Sequence, residues 1–337
     1  MRAVVYPNLV TKNHIGTNPY IQDFIENLEL QGGQVINAPH KNPLVSLFLK
    51  RNMSLDICFL HWIENVPLYK YGYFQFVLAL LYIMILKLRK KKIVWFLHNK
   101  EPHEKTSFSL GVFLMKILVR FSDLIITHAT DGVKLINDYY PDCANKIYFL
   151  DHPTKDRLSL YRKKKNPLYD LLIWGAISKY KGVAEFVQYL TKKQSHLRVL
   201  IIGKCDSKDY FSQLLSSKND NIQIENRTLT FEQLAVYISD TRFVLIPYFP
   251  KSLLSSGILM DSLSLGAKII GPNTGSFKDY SQNSQLKVYV FHDYNDIEDI
   301  IHGYPDPIDI SAYLHFLNEH SWHFFVKKML CLINDNK

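Results

Sequence analysis

Short apolar runs alternate with longer helical patterns along almost the whole chain. Runs of β-branched and aromatic residues predict strands at 4–6, 34–37, 56–60, 93–97, 124–127 and 146–149 in the first half. In the second half they predict strands at 171–174, 198–202, 222–225, 243–246, 268–270 and 288–291. Segments with helical spacing fill the gaps. Strands that alternate with helices favour parallel sheets covered on both faces.

A polar, basic and proline-bounded stretch from Asp151 to Pro167 interrupts this pattern. We therefore predict an α/β protein with two Rossmann-like, doubly wound domains at 1–155 and 166–309. The length of 337 residues fits two cores of about 150 residues each. Apolar residues at near-helical spacing in 310–337 predict one or two helices that pack back on the N-terminal domain.

Composition and charge narrow the functional class. The 47% hydrophobic and 21% charged residues are typical of a folded globular protein. The chain opens with a strand-like segment rather than a signal peptide, and its four cysteines have no metal-ligand spacing. We expect a cytoplasmic protein.

The net charge of +9 is concentrated after the longest apolar run, which spans about 14 residues and is too short to cross a bilayer. Cations at Lys87 and from Arg89 to Lys92 follow this run. Two interpretations are open: residues 73–92 lie on the anionic inner face of the cytoplasmic membrane, or the cations complement the dipole of a core helix. Nucleic acid is not an expected partner, because no base-reading motif accompanies the basic residues.

The first chemical motif follows the strand at 171–174. Gly175 ends this strand, and Lys181 and Gly182 precede the next helix. Glycine permits close backbone approach, helix-start amides point at an anion, and lysine adds a full charge. The motif favours phosphate binding, with an ordinary turn as the alternative.

The second motif follows the strand at 243–246. Tyr248 ends the apolar run, and Ser255, Ser256 and Gly257 precede a helix whose start exposes amide donors. Asp261 lies one turn into this helix, where a carboxylate can bind ribose hydroxyls or complement the helix amino end. Together the two motifs predict a diphosphate site.

These residues resemble the GT-B glycosyltransferases, and especially the retaining group 1-type family of bacterial polysaccharide and glycolipid biosynthesis. The resemblance covers nearly the whole chain and is strongest at 171–182 (LLIWGAISKYKG) and 243–275 (FVLIPYFPKSLLSSGILMDSLSLGAKIIGPNTG). It implies two domains that face a cleft, with the acceptor on the first domain and the nucleotide sugar on the second.

The resemblance also implies residue roles on the donor side. Lys181 would neutralise the diphosphate, Ser255, Ser256 and Gly257 would donate to the phosphates, and Asp261 would hold the ribose. The chain departs from the family at two positions. Leu253 stands where the family carries the first glutamate of a Glu-x7-Glu pair, and Ala176 stands where it carries an arginine, which leaves Lys179 as a substitute.

In the first domain, polar residues follow the predicted strands. The resemblance places His98 near the donor sugar, and the loops at strand ends on the acceptor side. The predicted catalytic residues are His98 and Glu104, and the predicted acceptor-side residues are Gly16, His61, Glu64 and His103. Each histidine could instead be a buried structural residue. An inverting enzyme would need a protein base, whereas a retaining enzyme could use the departing phosphate.

We predict a hexosyltransferase that moves a sugar from a nucleotide-diphosphate sugar to a hydroxyl of a glycan or lipid-linked oligosaccharide in surface polysaccharide assembly. No cofactor is expected and no metal, because no Asp-x-Asp pair ends a strand. Two alternatives keep the same fold: a nucleotide-sugar epimerase, and a catalytically silent scaffold that lost the glutamate and arginine.

Overall fold

The computed structural model describes residues 1–8, 19–101, 108–162, 164, 166–251, 253–304 and 307–335. The chain divides into two compact units. The first comprises Met1–His152, Lys251–Ser255 and Trp322–Lys337, and the second comprises Pro153–Pro250 and Ser256–Ser321.

The first unit contains a sheet of six parallel strands. Its strands are β1 (Arg2–Tyr6), β2 (Gln34–Val35), β3 (Ile57–His61), β4 (Lys92–Leu97), β5 (Leu124–Thr127) and β6 (Ile147–Phe149). Its first helices are α1 (Tyr20–Leu30), α2 (Pro43–Ser46), α3 (Gly72–Leu88), α4 (Phe108–Phe121) and α5 (Thr130–Tyr139). The strand order β2-β1-β3-β4-β5-β6 reverses between β1 and β3. Ligands of such sheets bind at the carboxyl ends of the strands beside this reversal.

Both faces of this first sheet are buried, as expected of parallel strands. Val4 and Tyr6 of β1 pack into one core, and Ala3 and Val5 pack into the other. The alternation places successive side chains on opposite faces.

The second unit repeats this architecture. Its strands are β7 (Tyr169–Trp174), β8 (Val199–Ile202), β9 (Ile222–Glu225), β10 (Thr241–Leu245), β11 (Ile269–Pro272) and β12 (Val288–Phe291). Its helices are α6 (Val183–Lys192), α7 (Lys208–Ser217), α8 (Phe231–Ser239), α9 (Gly257–Ser264), α10 (Gly275–Ser281), α11 (Asp296–Gly303) and α12 (Ile310–Glu319). The order β12-β11-β10-β7-β8-β9 reverses between β7 and β10.

The two terminal helices belong to different units. The helix α12 lies in the second unit, where the Tyr313 hydroxyl donates to the Ala267 carbonyl at 2.9 Å. The helix α13 (Trp322–Asp335) lies in the first unit, where Trp322, Phe325 and Met329 join the core. The segment predicted to return to the N-terminal domain therefore does so from Trp322 onward.

Each of the twelve predicted strands corresponds to an observed strand, and the prediction of two doubly wound parallel sheets is confirmed. Within the described residues, no helix combines the length and the hydropathy that a bilayer crossing requires.

Candidate functional site

The two predicted donor motifs meet at the strand-order reversal of the second sheet. Gly175 follows β7 with a φ of +96°, a backbone conformation that favours glycine. A Cβ at Gly175 would lie 2.7 Å from Cδ1 of Ile258 in the first turn of α9. A Cβ at Gly182 would clash with the carbonyl oxygen of Pro247. The loop after β7 therefore packs directly against the segment after β10.

Lys181 is a buried cation in this packed region. Its exposure is 8%, and burial lowers the pKa of its ammonium group to about 8. The ammonium lies 5.5 Å from the ring centroid of Tyr248 and 5.9 Å from that of Tyr180. No carboxylate pairs with it among the described residues. A buried, unpaired cation is costly and is typical of a site that binds an anion.

The start of α9 adds hydrogen-bond donors near this lysine. Ser256 caps the helix and its hydroxyl accepts from the Leu259 amide at 3.3 Å. The first-turn amides, including Gly257, have no acceptor within the helix itself. Burial raises the pKa of the Tyr248 phenol, and the Ser256 hydroxyl opposes the shift. Lys181, Tyr248 and Ser256 are therefore close together, as an anion site requires.

The remaining predicted donor residues have different surroundings. Lys179 is exposed and Ser255 is half-buried. Asp261 forms an ion pair with Arg157 at 3.3 Å, and the Arg157 guanidinium lies 3.7 Å from the ring centroid of Phe231. This arginine gives Asp261 a structural partner, and the ribose contact stays a prediction.

The first unit places a row of histidines at the carboxyl edge of its sheet. His61 ends β3, His98 follows β4, His128 follows β5, and His152 lies beyond β6. The ring centroids of neighbouring members are 5.4, 5.7 and 4.8 Å apart. All four side chains are buried. We call these residues the histidine row.

Tyr20, the first residue of α1, makes an edge contact with every member of the histidine row. His128 Nδ1 lies 2.8 Å from the Leu150 carbonyl oxygen, which can only accept, so this nitrogen carries the proton. Tyr20 therefore donates its hydroxyl proton to His128 Nε2 at 2.7 Å. Burial lowers the pKa values of His61, His98 and His128 well below the ordinary value, so these imidazoles are neutral.

Two predicted acceptor-side residues are interior. His61 is 0% exposed and Glu64 is 1% exposed. Glu64 Oε2 accepts from Trp95 Nε1 at 3.3 Å, whereas Oε1 has no partner in the described residues. Burial raises the pKa of Glu64 to about 7. Side chains without exposed surface cannot touch an acceptor in this conformation, so any influence on substrate passes through their neighbours.

Three predicted residues, Gly16, His103 and Glu104, lie outside the described residues. In the described part of the chain, no group of three or more His, Cys, Asp or Glu is placed to hold a metal ion.

Sequence reasoning missed three residues of these two regions. His128 directly follows β5 as His98 follows β4, so the strand-end rule could have identified it. Tyr20 and Arg157 lie far in sequence from their partners His128 and Asp261. No local signal marks them.

No protein-family model matches the chain, and no curated protein matches its sequence. Solved structures do match over the full length. HepE of Anabaena, solved in complex with UDP-glucose, has a TM-score of 0.69 at 11% identity and covers 99% of this chain and 100% of its own. Sucrose-phosphate synthase from Thermosynechococcus elongatus has a TM-score of 0.71 at 12% identity and covers 99% of this chain and 98% of its own. AviGT4, a glycosyltransferase involved in avilamycin A biosynthesis, has a TM-score of 0.60 at 11% identity and covers 98% of this chain and 95% of its own. The chain therefore has the GT-B fold of these glycosyltransferases, with two parallel Rossmann-like sheets.

Proposed function

We propose that this protein is a glycosyltransferase that moves a hexose from a nucleotide-diphosphate sugar to a hydroxyl of a glycan. The observation that carries the proposal is the buried, unpaired Lys181 beside the amino end of α9. The departing group of this reaction is a nucleoside diphosphate, whose charge grows as the sugar leaves. A cation and free amides held in a buried site stabilise that charge without reorganisation.

In this proposal Lys181 and the α9 amides bind the diphosphate, Asp261 and Tyr248 border the nucleotide, and His98 contacts a substrate oxygen. We also propose that transfer needs no metal ion, because Lys181 would supply the positive charge that a divalent ion could otherwise bring to the diphosphate.

Uridine diphosphate is the first donor nucleotide to test, because the structurally similar HepE was solved with UDP-glucose. We expect one nucleoside diphosphate from a panel of UDP, GDP, ADP and CMP to raise the melting temperature. At a ligand concentration 100 times Kd, the added stability is about 2.7 kcal/mol. Differential scanning fluorimetry with this panel measures the effect.

Turnover separates the proposed function from its alternatives. Release of nucleotide from a sugar donor in the presence of membrane extract, with the sugar appearing in extracted glycan, supports transfer. Conversion of the free donor to its epimer without an acceptor would show an epimerase. Stabilisation by a nucleotide with no release from any donor, with or without EDTA, would show a silent scaffold.

We further propose that the acceptor is a lipid-linked glycan in surface polysaccharide assembly, reached from the inner face of the cytoplasmic membrane. The support is the outward face of α3. Phe76, Ala79, Tyr82, Ile83 and Leu86 are buried, yet the opposite side is also apolar. The exposed residues there are Tyr73, Val77, Leu81, Met84 and Leu88, which recur at helical spacing. A contiguous exposed apolar stripe rimmed by polar residues is typical of a surface that binds a membrane or another protein.

Charge around the stripe favours an anionic bilayer over a protein partner. No Asp or Glu occurs between Asn65 and Lys100. Arg89 and Lys90 are exposed at the end of α3, and Lys116 and Arg120 are exposed on α4. Phe113 of α4 is exposed as well, and its ring lies 6.0 Å from that of Phe76. Apolar residues flanked by cations are typical of surfaces that lie in the membrane interface.

Replacing Arg89, Lys90 and Lys91 with glutamine is expected to weaken binding to vesicles containing phosphatidylglycerol. Each cation near an anionic surface contributes about 1 kcal/mol, so the vesicle Kd should rise roughly 100-fold. Vesicle sedimentation measures it. The matched control replaces Lys192, Lys204 and Lys208, which are exposed on the second unit and carry the same charge.

If both triple variants lose vesicle binding equally, the loss reflects net charge alone, and the proposed membrane surface at α3 is wrong. A second variant changes Val77, Leu81 and Met84 to serine. If it leaves vesicle binding intact but converts a dimer to a monomer, the stripe is an interface between copies of this chain.

A further inference from the structure

His61 has a buried, one-sided hydrogen-bonding arrangement that the proposed reaction does not yet use. Its Nδ1 lies 3.1 Å from Nε2 of His98. Its Nε2 is buried and has no hydrogen-bond partner among the described residues. The ring stacks on Phe96, with centroids 4.0 Å apart and planes 18° from parallel. His61 is therefore fixed, inaccessible and bonded to one histidine.

The orphaned nitrogen indicates which ring carries the shared proton. Both imidazoles are neutral, because burial lowers both pKa values, so each ring carries one proton. If His61 accepted from His98, its own proton would lie on the buried Nε2 with no acceptor. An orphaned buried N–H is rarer than an under-satisfied acceptor and costs the full desolvation of the donor. With the proton on His61 Nδ1, the buried Nε2 is an acceptor without a partner, which costs less than an unpaired N–H at the same position.

The position of the His61 proton determines the tautomer of His98. Its Nε2 accepts from His61, so its proton lies on Nδ1. That nitrogen has no hydrogen-bond partner in the part of the chain described, but unlike His61 Nε2 it is not a fully buried atom, so water or a substrate oxygen can accept its proton. His98 is 4% exposed and follows β4 at the carboxyl edge of the sheet, where ligands of this architecture bind. His98 can therefore present a neutral N–H donor.

The surroundings of His98 hold its ring in one orientation. The Trp62 ring stacks on it, with centroids 4.4 Å apart and planes 20° from parallel. Tyr20 contacts it edge-on at 5.3 Å. Trp62 has a φ of +51°, an uncommon conformation for a bulky residue that costs of order 1 kcal/mol or more. Such strain persists where surrounding structure demands it, and here it places an indole on His98.

We propose that His61 is a positioning residue that fixes His98 as the neutral Nδ1–H tautomer, so that His98 donates a hydrogen bond to a substrate oxygen. This inference rests on the proposed function for its substrate, a sugar or its acceptor. The tautomer itself is independent of that function. His61 touches no substrate and acts only through His98.

The first experiment reads the tautomer by nitrogen NMR of the full protein with 15N-labelled histidine at pH 7.5. Both His98 and His61 are expected to be protonated at Nδ1 and bare at Nε2. The His61→Phe variant keeps an aromatic ring on Phe96 but removes the donor, so His98 should become a mixture of tautomers. Protonation of His98 at Nε2 in the parent protein would overturn the inference.

The second experiment measures transfer. His61→Phe should lower kcat about 10-fold, the worth of one well-placed hydrogen bond, with little change in the donor KM. His61→Asn can place an amide donor near the former Nδ1 and should recover most of kcat. The matched control is His128→Phe, the same change within the histidine row at a residue not bonded to His98.

These outcomes separate the possible failures. Equal kcat losses in His61→Phe and His128→Phe, without rescue by His61→Asn, would show a structural role only. An unchanged kcat in His61→Phe would also overturn the positioning role. Absence of transfer with every donor would sink the proposed function, while the NMR result would still decide the tautomer.

Discussion

A Lys181→Met variant is expected to lose donor binding by roughly 30-fold to 1,000-fold, because truncating one partner of a buried charge pair costs about 2 to 4 kcal/mol. Methionine keeps the length and the buried packing of the side chain but carries no charge. Isothermal titration with the nucleoside diphosphate found by the thermal screen measures the loss, and kcat/KM for transfer should fall at least as far.

The same variant is expected to be more stable without ligand than the parent. Burial holds the pKa of Lys181 at about 8 instead of its ordinary 10.5, which corresponds to about 3 kcal/mol of unfavourable burial at neutral pH. Removing the charge removes that cost. A higher urea midpoint together with lost binding identifies a ligand site, whereas a lower midpoint would show that Lys181 only supports the fold.

The pH dependence of donor affinity gives an independent check. Lys181 is protonated below about pH 8 and neutral above it in the free protein. Donor binding should therefore weaken as pH rises through 8, and this dependence should disappear in Lys181→Met. Lys192→Met, an exposed change at the far end of α6, should match the parent protein in affinity and in its pH profile.

Acidification to pH 5 is expected to destabilise the first unit by about 4 kcal/mol relative to pH 7.5. His61, His98 and His128 stay neutral when folded but bind protons below pH 6.5 when unfolded. Above pH 6.5 the free energy of unfolding is therefore unaffected by these histidines. As the pH falls below 6.5, it decreases because only the unfolded chain binds the protons. Each contributes about 2 kcal/mol of loss at pH 5, or about 6 kcal/mol together.

Glu64 opposes this loss. Its pKa is raised to about 7, so its folded form binds a proton that the unfolded chain does not hold until the pH approaches 4.5. Protonation of Glu64 between pH 7.5 and 5 therefore raises the free energy of unfolding by about 2 kcal/mol. The histidines outweigh it. In Glu64→Gln this gain is absent, so the loss of stability between pH 7.5 and pH 5 should rise to about 6 kcal/mol.

Tryptophan fluorescence during urea unfolding can follow this unit separately. Three of the four tryptophans lie in the first unit, and only Trp174 lies in the second. In a Trp174→Phe background, the emission reports Trp62, Trp95 and Trp322. A first unit that is equally stable at pH 5 and pH 7.5 would show that His61, His98 and His128 do not stay neutral when folded.

The secondary structure of this protein follows from local sequence patterns. The β10 run and its neighbours are short, apolar and rich in β-branched residues, so each reads as a buried strand. The boundary between α12 and α13 did not emerge from the pattern, because both helices expose similar amphipathic faces. Packing decides it: Tyr313 bonds to Ala267 in one unit, and Trp322 enters the core of the other.

The donor side was largely visible in the sequence because its parts are contiguous motifs. A glycine after a strand, a lysine before a helix and serines at a helix start each have a local chemical meaning. Proximity of Lys181 to Tyr248 needed the tertiary structure, as did the ion pair that occupies Asp261.

Local patterns were enough to predict the two doubly wound sheets and the segments that end at their carboxyl edges, since strand and helix periods are properties of neighbouring residues. Burial and side-chain pairing could be read only from the folded chain. It brought His61 to His98, and Tyr20 to His128, across 37 and 108 residues of chain. Those contacts depend on how parallel strands line up side by side, which no local pattern encodes.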